Sequence, residues 1–313
     1  MTEKFLKSGY EIVDFSQSAD VYVVNSCSVT NLSTRKTRQI LSRARHAGGI
    51  VVLCGCYAEE IKDKYTQLKN VDVIIGNEQK NEIVDIVKKY IELTPKKKLK
   101  NNVIVEVGDI SKAAKYTGND TLEKGINIRE SVKIEDGCNN FCSYCIIPYV
   151  RGRVRSRNID TIVQEVKNLV ASGVGEVVLV GIEIASYGKD LDNSLTLVDV
   201  IERVSQVEGL KRIRLGSIEP RFLTLENIIR MSKIEKLCPH FHISVQSLDN
   251  GVLRRMNRKY TREDIFTITD NLKKYFKNVA FTCDIIVGFP GESDEEFENT
   301  LDGVKRVGFY EVH

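Results

Sequence analysis

Three cysteines in the stretch Cys138-Asn139-Asn140-Phe141-Cys142-Ser143-Tyr144-Cys145 are spaced C-x3-C-x2-C and follow closely on the apolar run Val132 to Ile134. Three thiolates converging from one short loop can hold three corners of a soft metal site, and their softness selects zinc, copper(I) or an iron–sulfur cluster. A structural zinc wants a fourth protein ligand, whereas a cubane with three protein ligands leaves one iron open to a small molecule. Further cysteines stand in Asn25-Ser26-Cys27-Ser28-Val29-Thr30 and Cys54-Gly55-Cys56-Tyr57-Ala58. Because free cysteine is among the most buried residue types, Cys27, Cys54 and Cys56 read equally as three small core residues. Arg151, Arg153, Arg155 and Arg157 alternate just after the central cysteines. In an extended segment they would share one face and present guanidinium forks to phosphate; the alternative is a structural salt-bridge strip. Arg35, Lys36, Arg38, Arg43 and Arg45 on a helix could extend that surface, and an RNA held this way would bind with a steep salt dependence.

The elements that must position these residues alternate between apolar strands and amphipathic helices, an α/β pattern that implies parallel sheets. In residues 1–95 the strands expected are Asp20 to Val24, Ile50 to Leu53 and Val71 to Ile75. Helices are expected over Ser33 to His46, Ala58 to Leu68 and Asn81 to Leu93, which makes a small doubly wound domain. Ligands collect at the carboxyl ends of strands in such sheets, so Cys27 and Cys56 should face the same edge. Residues 96–130 read as a linker, with the solvated lysine run Lys96, Lys97, Lys98 and Lys100, a strand at Asn102 to Val107, and polar stretches at Gly118-Asn119-Asp120 and Lys124-Gly125. From 131 to 313 strands are expected at Val132 to Ile134, Glu176 to Val180, Arg212 to Leu215, His242 to Val245, Val279 to Val287 and Tyr310 to His313. Helices between them, with right-handed crossovers, would curl this part into a partial (β/α)6 barrel with its chemistry at the carboxyl ends of the strands. The three-cysteine loop follows the first of them.

At 313 residues the chain has room for about two domains, and 42% hydrophobic with 28% charged residues is ordinary for a globular protein. No apolar run approaches the ~18 residues of a bilayer span, and Met1 to Ser8 lacks a signal-peptide core, so a cytoplasmic location without membrane contact is expected. Eight cysteines in such a chain argue for metal or redox chemistry over a disulfide framework. A net charge of +3 decides nothing by itself.

The cysteine spacing, with aromatic Tyr144 before the last thiol, resembles the radical S-adenosylmethionine (SAM) superfamily. The resemblance implies that Cys138, Cys142 and Cys145 hold three irons of a 4Fe-4S cluster whose fourth iron chelates SAM and cleaves it to a 5′-deoxyadenosyl radical. The longer string Ile134-Glu135-Asp136-Gly137-Cys138 through Ile146-Ile147-Pro148-Tyr149, with Arg151-Gly152-Arg153-Val154-Arg155-Ser156-Arg157, is similar to the methylthiotransferases. Within them it is nearest the branch acting on threonylcarbamoyladenosine in tRNA, the MtaB type. The motifs around Cys27 and Cys56 resemble two of the three cysteine motifs of that family's first domain, where a second 4Fe-4S cluster takes part in sulfur delivery. The family's first cysteine motif, Gly-Cys-x-x-Asn after an initial strand, has no counterpart here, and Cys54 is a weak substitute. The terminal RNA-binding TRAM domain is likewise missing, and the chain reads as truncated at both ends.

The resemblance further implies SAM contacts at Glu183, in the segment that meets the SAM amino group, at Ser217 and Glu219 near the ribose, and at Gln246. An exposed loop acid is the other reading of Glu183, a satisfied core histidine the better reading of His242, and a plain turn an equal reading of Gly288-Phe289-Pro290-Gly291-Glu292. The function implied is transfer of a methylthio group to C2 of N6-threonylcarbamoyladenosine next to the anticodon. It would need two 4Fe-4S clusters, SAM, a tRNA substrate and an electron donor such as flavodoxin or ferredoxin, in a monomeric transferase. Competing expectations are a methylthiotransferase for isopentenyladenosine in tRNA or for a ribosomal-protein aspartate, a radical SAM enzyme of unrelated substrate, and an inactive iron–sulfur or RNA-binding fragment.

Overall fold

Alternation of short apolar strands with helices gives parallel pairing, because each strand must return to the same end of the sheet before the next begins. The computed structural model describes residues 1–94, 103–117, 127–192 and 194–313. The lysine run at 96–100 and the polar stretches from Gly118 and at Lys124-Gly125 lie outside them. The chain divides into two units, one of Met1–Asn119 with Cys145–Arg153 and one of Asp120–Tyr144 with Val154–His313.

The first unit carries β1 (Val21–Ser26), β2 (Ile50–Gly55), β3 (Val73–Ile75) and β4 (Ile104–Glu106), all parallel and in that order. Its helices are α1 (Thr2–Lys7), α2 (Asn31–Ala47), α3 (Cys56–Ile61) and α4 (Ile83–Leu93), with a short α5 (Ile147–Val150) contributed from farther along the chain. One face of the sheet packs Tyr22, Val24 and Leu53 with Leu41, Ala44 and Tyr57; the other packs Val52, Val73 and Ile75 with Phe5, Ile83 and Val87. Apolar surface on both faces is what makes the sheet doubly wound. The linker expected at 96–130 is corrected in its described part: Ile104–Glu106 pairs with β3, and Val103, Val105 and Val107 pack on one core while Ile104 packs on the other. The alternation of apolar side chains recruits this strand to the sheet.

The second unit holds β5 (Arg129–Lys133), an antiparallel pair β6 (Glu135–Asp136) and β7 (Arg155–Ser156), then β8 (Glu176–Val180), β9 (Arg212–Leu215), β10 (His240–Gln246), β11 (Ala280–Ile285) and β12 (Glu311–Val312). Parallel ladders join β5, β8 and β9 and join β10, β11 and β12; bridges at Ile213–Leu237 and Ile218–Ile243 lie between the two sets. Around them run α6 (Ile159–Ala171), α7 (Leu197–Ser205), α8 (Leu225–Ser232), α9 (Asn250–Arg255), α10 (Arg262–Tyr275) and α11 (Asp294–Val307). Local chemistry sets the helix starts: Asn158 caps α6, and Thr196, Thr261 and Ser293 open capping boxes with Asp199, Asp264 and Glu296. On β10, Phe241, Ile243 and Val245 are buried in the core, while the alternate residues His240, His242, Ser244 and Gln246 are half-buried on the other side. The pair β6–β7, which the sequence reading lacked, brackets the cysteine loop at its base.

Candidate active site

The loop from Gly137 to Tyr144 leaves β6 at the carboxyl end of the first barrel strand. Cys138 is buried, while Cys142 and Cys145 are half-buried. Backbone N–H of Asn140 points at Cys138 Sγ at 3.4 Å, and Arg258 Nη1 donates to Cys142 Sγ at 3.2 Å. Phe141 between them takes φ +49, and its carbonyl accepts from Asn257 Nδ2 at 2.9 Å, which holds the turn. Arg258 is fixed by Ser244 O at 2.6 Å and Tyr260 Oη at 2.7 Å, and Tyr260 donates in turn to the carbonyls of Ser244 and Val245. Burial works against the Arg258 charge, but Tyr260, Tyr144 and the Cys142 sulfur outweigh it and hold its pKa above the ordinary value. A fixed cation at Cys142 and a backbone N–H at Cys138 orient the two sulfurs, as outer groups do for metal ligands.

Beside the loop, Glu183 follows β8. Its Oε2 accepts from Asn140 Nδ2 at 3.0 Å, while Oε1 is buried with no hydrogen-bond partner among the described residues. Burial, followed by the nearby Glu219, pushes the Glu183 carboxyl up to about 7. Glu135 lies beneath it: Oε2 accepts the Glu183 backbone N–H at 2.7 Å, Oε1 has no partner among the described residues, and burial pushes the group up to about 8. Gly181 is required here, since a Cβ would stand 2.8 Å from Glu135 Oε2. Buried oxygens without partners are the kind of acceptor an α-ammonium group satisfies.

The other expected SAM contacts are placed less directly. Ser217 is exposed after β9. Glu219 is buried, but its two oxygens accept from Arg221 N at 3.0 Å and Arg221 Nε at 2.8 Å, which leaves it bracing Arg221, whose Nη2 reaches Asn140 Oδ1 at 3.1 Å. Gln246 ends β10 at φ +66, a backbone strain of about 1–3 kcal/mol that a plain strand end does not need. His242 is satisfied by Thr282 Oγ1 at 2.8 Å and Asp284 Oδ2 at 3.1 Å. Gly288 and Phe289 N–H groups close on Glu292 Oε2, so that segment is a self-contained turn.

In the first unit, Cys27 follows β1 and is exposed; Cys56 opens α3 and is buried. Gly55 takes φ +100, and a Cβ there would run into Ser26 O, a geometry closed to other residues, at the turn that leads into Cys56. Burial raises the Cys56 thiol, Arg151 and Lys80 pull it down, Asn77 Nδ2 approaches its sulfur at 3.9 Å, and the nearby Cys27 raises it again. Cys54 is not part of this edge: it packs with Val52, Val73 and Ile75, and burial pushes it to about 11.

The arginine strip is corrected. Gly152 at φ +74 and the helical turn of α5 break the extended run. Arg155 is buried 3.9 Å from Asp136, and Arg157 is buried against Glu165, Thr161 and the Lys133 carbonyl. Arg151 donates to Asn77 Oδ1 at 3.2 Å, and Arg153 alone of the four is exposed. The paired carboxylates stand on β6 and α6, out of view in the local pattern. Glu135, Asn140, Arg221 and Arg258 were missed as site residues, although the first two stand inside the quoted cysteine motif.

Residues 132–304 match the family model of the radical SAM superfamily, and residues 1–76 that of the uncharacterized protein family UPF0004. The chain is 39% identical over 311 residues to the threonylcarbamoyladenosine tRNA methylthiotransferase MtaB of Bacillus subtilis, covering 99% of this chain and 67% of that one. To the protein of the same name from Aquifex aeolicus it is 37% identical, covering 100% and 75%. It is also 38% identical to a tRNA-2-methylthio-N(6)-dimethylallyladenosine synthase of Lachnoclostridium phytofermentans, over 94% of this chain and 64% of that one. In fold it is similar to the radical S-adenosylmethionine methyltransferase TsrM of Kitasatospora setae, with a TM-score of 0.68 at 14% identity over 95% of this chain and 62% of that one. The chain belongs to the radical SAM superfamily and, within it, to the MtaB-type methylthiotransferases. Its cofactors are therefore 4Fe-4S clusters, two in this family, and SAM.

The donor set fits the first cluster: three cysteines on one loop, two of their sulfurs already facing N–H donors, and partnerless carboxylate oxygens alongside. Among the described residues no three such side chains stand together at metal-holding distance, so the fit rests on the donors and their surroundings. Cys27 and Cys56 stand near each other in the first unit, at the carboxyl ends of β1 and β2.

Proposed function

We infer that this chain methylthiolates tRNA, at C2 of the adenine in N6-threonylcarbamoyladenosine. The observation that carries the reading is a cysteine loop whose Cys138 and Cys142 sulfurs face N–H donors, beside a buried Glu183 oxygen that has no partner among the described residues, in a chain of this family. Cys138, Cys142 and Cys145 would hold one cluster, and Cys27 with Cys56 would contribute to the other. When bound, the cluster and SAM supply one-electron chemistry strong enough to take hydrogen from an inert C–H bond, which general acid–base groups cannot do. Arg258 holds the Cys142 sulfur in place and offsets its negative charge. Glu183 offers its oxygen to the SAM ammonium group, and Glu135 orients Glu183 through the backbone N–H. Asn140 links the cysteine loop to Glu183 and, through Arg221, to Glu219. An electron-donor protein, a monomeric state and action in the cytoplasm, where tRNA is found, complete the reading. Among the described residues no helix is long and apolar enough to cross a membrane.

The test is anaerobic reconstitution followed by incubation with SAM, reductant and tRNA that carries threonylcarbamoyladenosine. Deoxyadenosine release together with a methylthio mass increment on that nucleoside is expected. A cluster-loaded chain that releases no deoxyadenosine overturns the enzyme reading, and an increment on isopentenyladenosine alone moves the chain to the other tRNA branch.

A further inference from the structure

Helix α2 carries a charge pattern that nothing in the first unit's packing requires. Over 17 residues it holds Arg35, Lys36, Arg38, Arg43, Arg45 and His46 and no acidic residue. Thr37, Leu41 and Ala44 face the core, and Arg45 and Arg38 are used internally, the one on Asp72 Oδ1 at 2.9 Å and the other on Tyr57 Oη at 2.7 Å. The opposite face is different. At the helical period Lys36, Gln39, Arg43 and His46 form one line with Arg35 beside it, and all are exposed. Among the described residues, Arg35 and Lys36 enter no ion pair or side-chain hydrogen bond, and the exposed Arg43 guanidinium lies over the Phe15 ring, 5.4 Å from its centroid. Surfaces ordinarily intersperse both signs, because like charges on neighbouring turns repel. Leaving a whole face uniformly basic makes sense if a polyanion supplies the missing charge.

The helix begins at Asn31, capped by Thr30, directly after the segment that carries Cys27 at the carboxyl edge of the sheet. We propose that the exposed face of α2, with Arg35, Lys36, Arg43 and His46, binds the phosphate backbone of the RNA that the enzyme modifies. Ten residues from Lys36 to His46 reach about 15 Å, enough to follow a strand past a single phosphate. An acidic protein is a poorer occupant: protein interfaces are built around an apolar and aromatic centre, and the only large apolar side chains exposed on this helix are Leu32 and Ile40. The inference rests on tRNA being the substrate and assigns the contact surface for it.

The test is tRNA binding by the full, cluster-loaded chain, read by fluorescence anisotropy with labelled tRNA across a series of salt concentrations. Wild type is expected to bind with a steep log–log salt slope. The triple variant Arg35→Gln, Lys36→Gln, Arg43→Gln is expected to bind about tenfold or more weakly at moderate salt, with the slope shallower by about two, since each lost phosphate contact removes roughly 0.7–0.9. Arg35→Lys with Arg43→Lys keeps the slope. The double variant Arg35→Gln, Lys36→Gln removes no ion pair or side-chain hydrogen bond among the described residues, and its unchanged circular dichroism and melting separate charge from folding. Lys88→Gln with Lys89→Gln, equally exposed on α4, controls for net charge and leaves binding at the wild-type level. Wild-type affinity and slope in the α2 variants overturn the inference while tRNA binding stands, as does a loss confined to reduction by an acidic electron-donor protein. A wild type without salt-dependent tRNA binding overturns the tRNA reading and this inference with it.

Discussion

Residues 151–157 and helix α2 each carry four arginines, and in the sequence both look like surfaces for phosphate. In the structure they part. Arg155 and Arg157 turn inward to Asp136 and Glu165, and Arg151 turns to Asn77. On α2, Arg35, Lys36 and Arg43 find no carboxylate among the described residues and stay exposed. The difference lies in the neighbours: a guanidinium goes where an acid on another element can desolvate with it, and otherwise remains outside. A buried arginine is thus evidence about the architecture around the cysteine loop, and an exposed unpaired one is evidence about partners.

The largest effect that sharpens this division separates chemistry from binding. Cys142→Ala is expected to abolish SAM cleavage, by more than about 100-fold, since even outer-shell partners of metal sites are worth about 10–100-fold. Its tRNA affinity should be unchanged; retained cleavage would remove Cys142 from the ligand set. Next, Arg157→Met should lower unfolding free energy by about 3–5 kcal/mol, because it removes the buried cation that offsets the charge of the buried Glu165 carboxylate. Equal stability of Arg157→Met and wild type in urea titration would erase the contrast with α2.

Glu135 is the third arm of the comparison, a buried acid facing other acids in place of a cation. With its carboxyl raised to about 8, the folded protein holds this proton more tightly than the unfolded chain. Its stabilising contribution is therefore complete below the unfolded pKa and is lost as pH rises through about 8. Glu135→Gln, which cannot ionise, should match wild type near pH 5 and exceed it by roughly 2–4 kcal/mol near pH 8.5. A difference independent of pH would place the Glu135 carboxyl in a wetter setting. The smallest effect is expected at Arg35→Met, within about 0.5 kcal/mol of wild-type stability, since the side chain is exposed and unpaired; a larger loss in the same urea titration would show a structural role for the helix face.

Much of the fold was legible in the chain. Every barrel strand expected from an apolar run was found within a few residues, because burying such a run against a helix leaves few alternatives. The cysteine loop was legible because ligand spacing is local. Glu135 and Asn140 stood in view beside the cysteines, yet their roles depend on Glu183, which meets them only when β8 aligns with β5. Arg258 is farther still in sequence, 116 residues from Cys142. The strand at Asn102 to Val107 was legible from its apolar alternation, but its place in the first sheet was not, because a short strand amid polar residues looks like part of a connection until β3 pairs with it.

By itself, then, the sequence determined the family, the order of strands and helices, and which thiols are available, since spacing and periodicity are properties of neighbours along the chain. Only the tertiary structure decided which charges are spent inside the protein and which are left for a partner. Pairing of Arg157 with Glu165, isolation of the Glu183 oxygen, burial of Cys54 and exposure of the α2 face all depend on the desolvation that packing imposes.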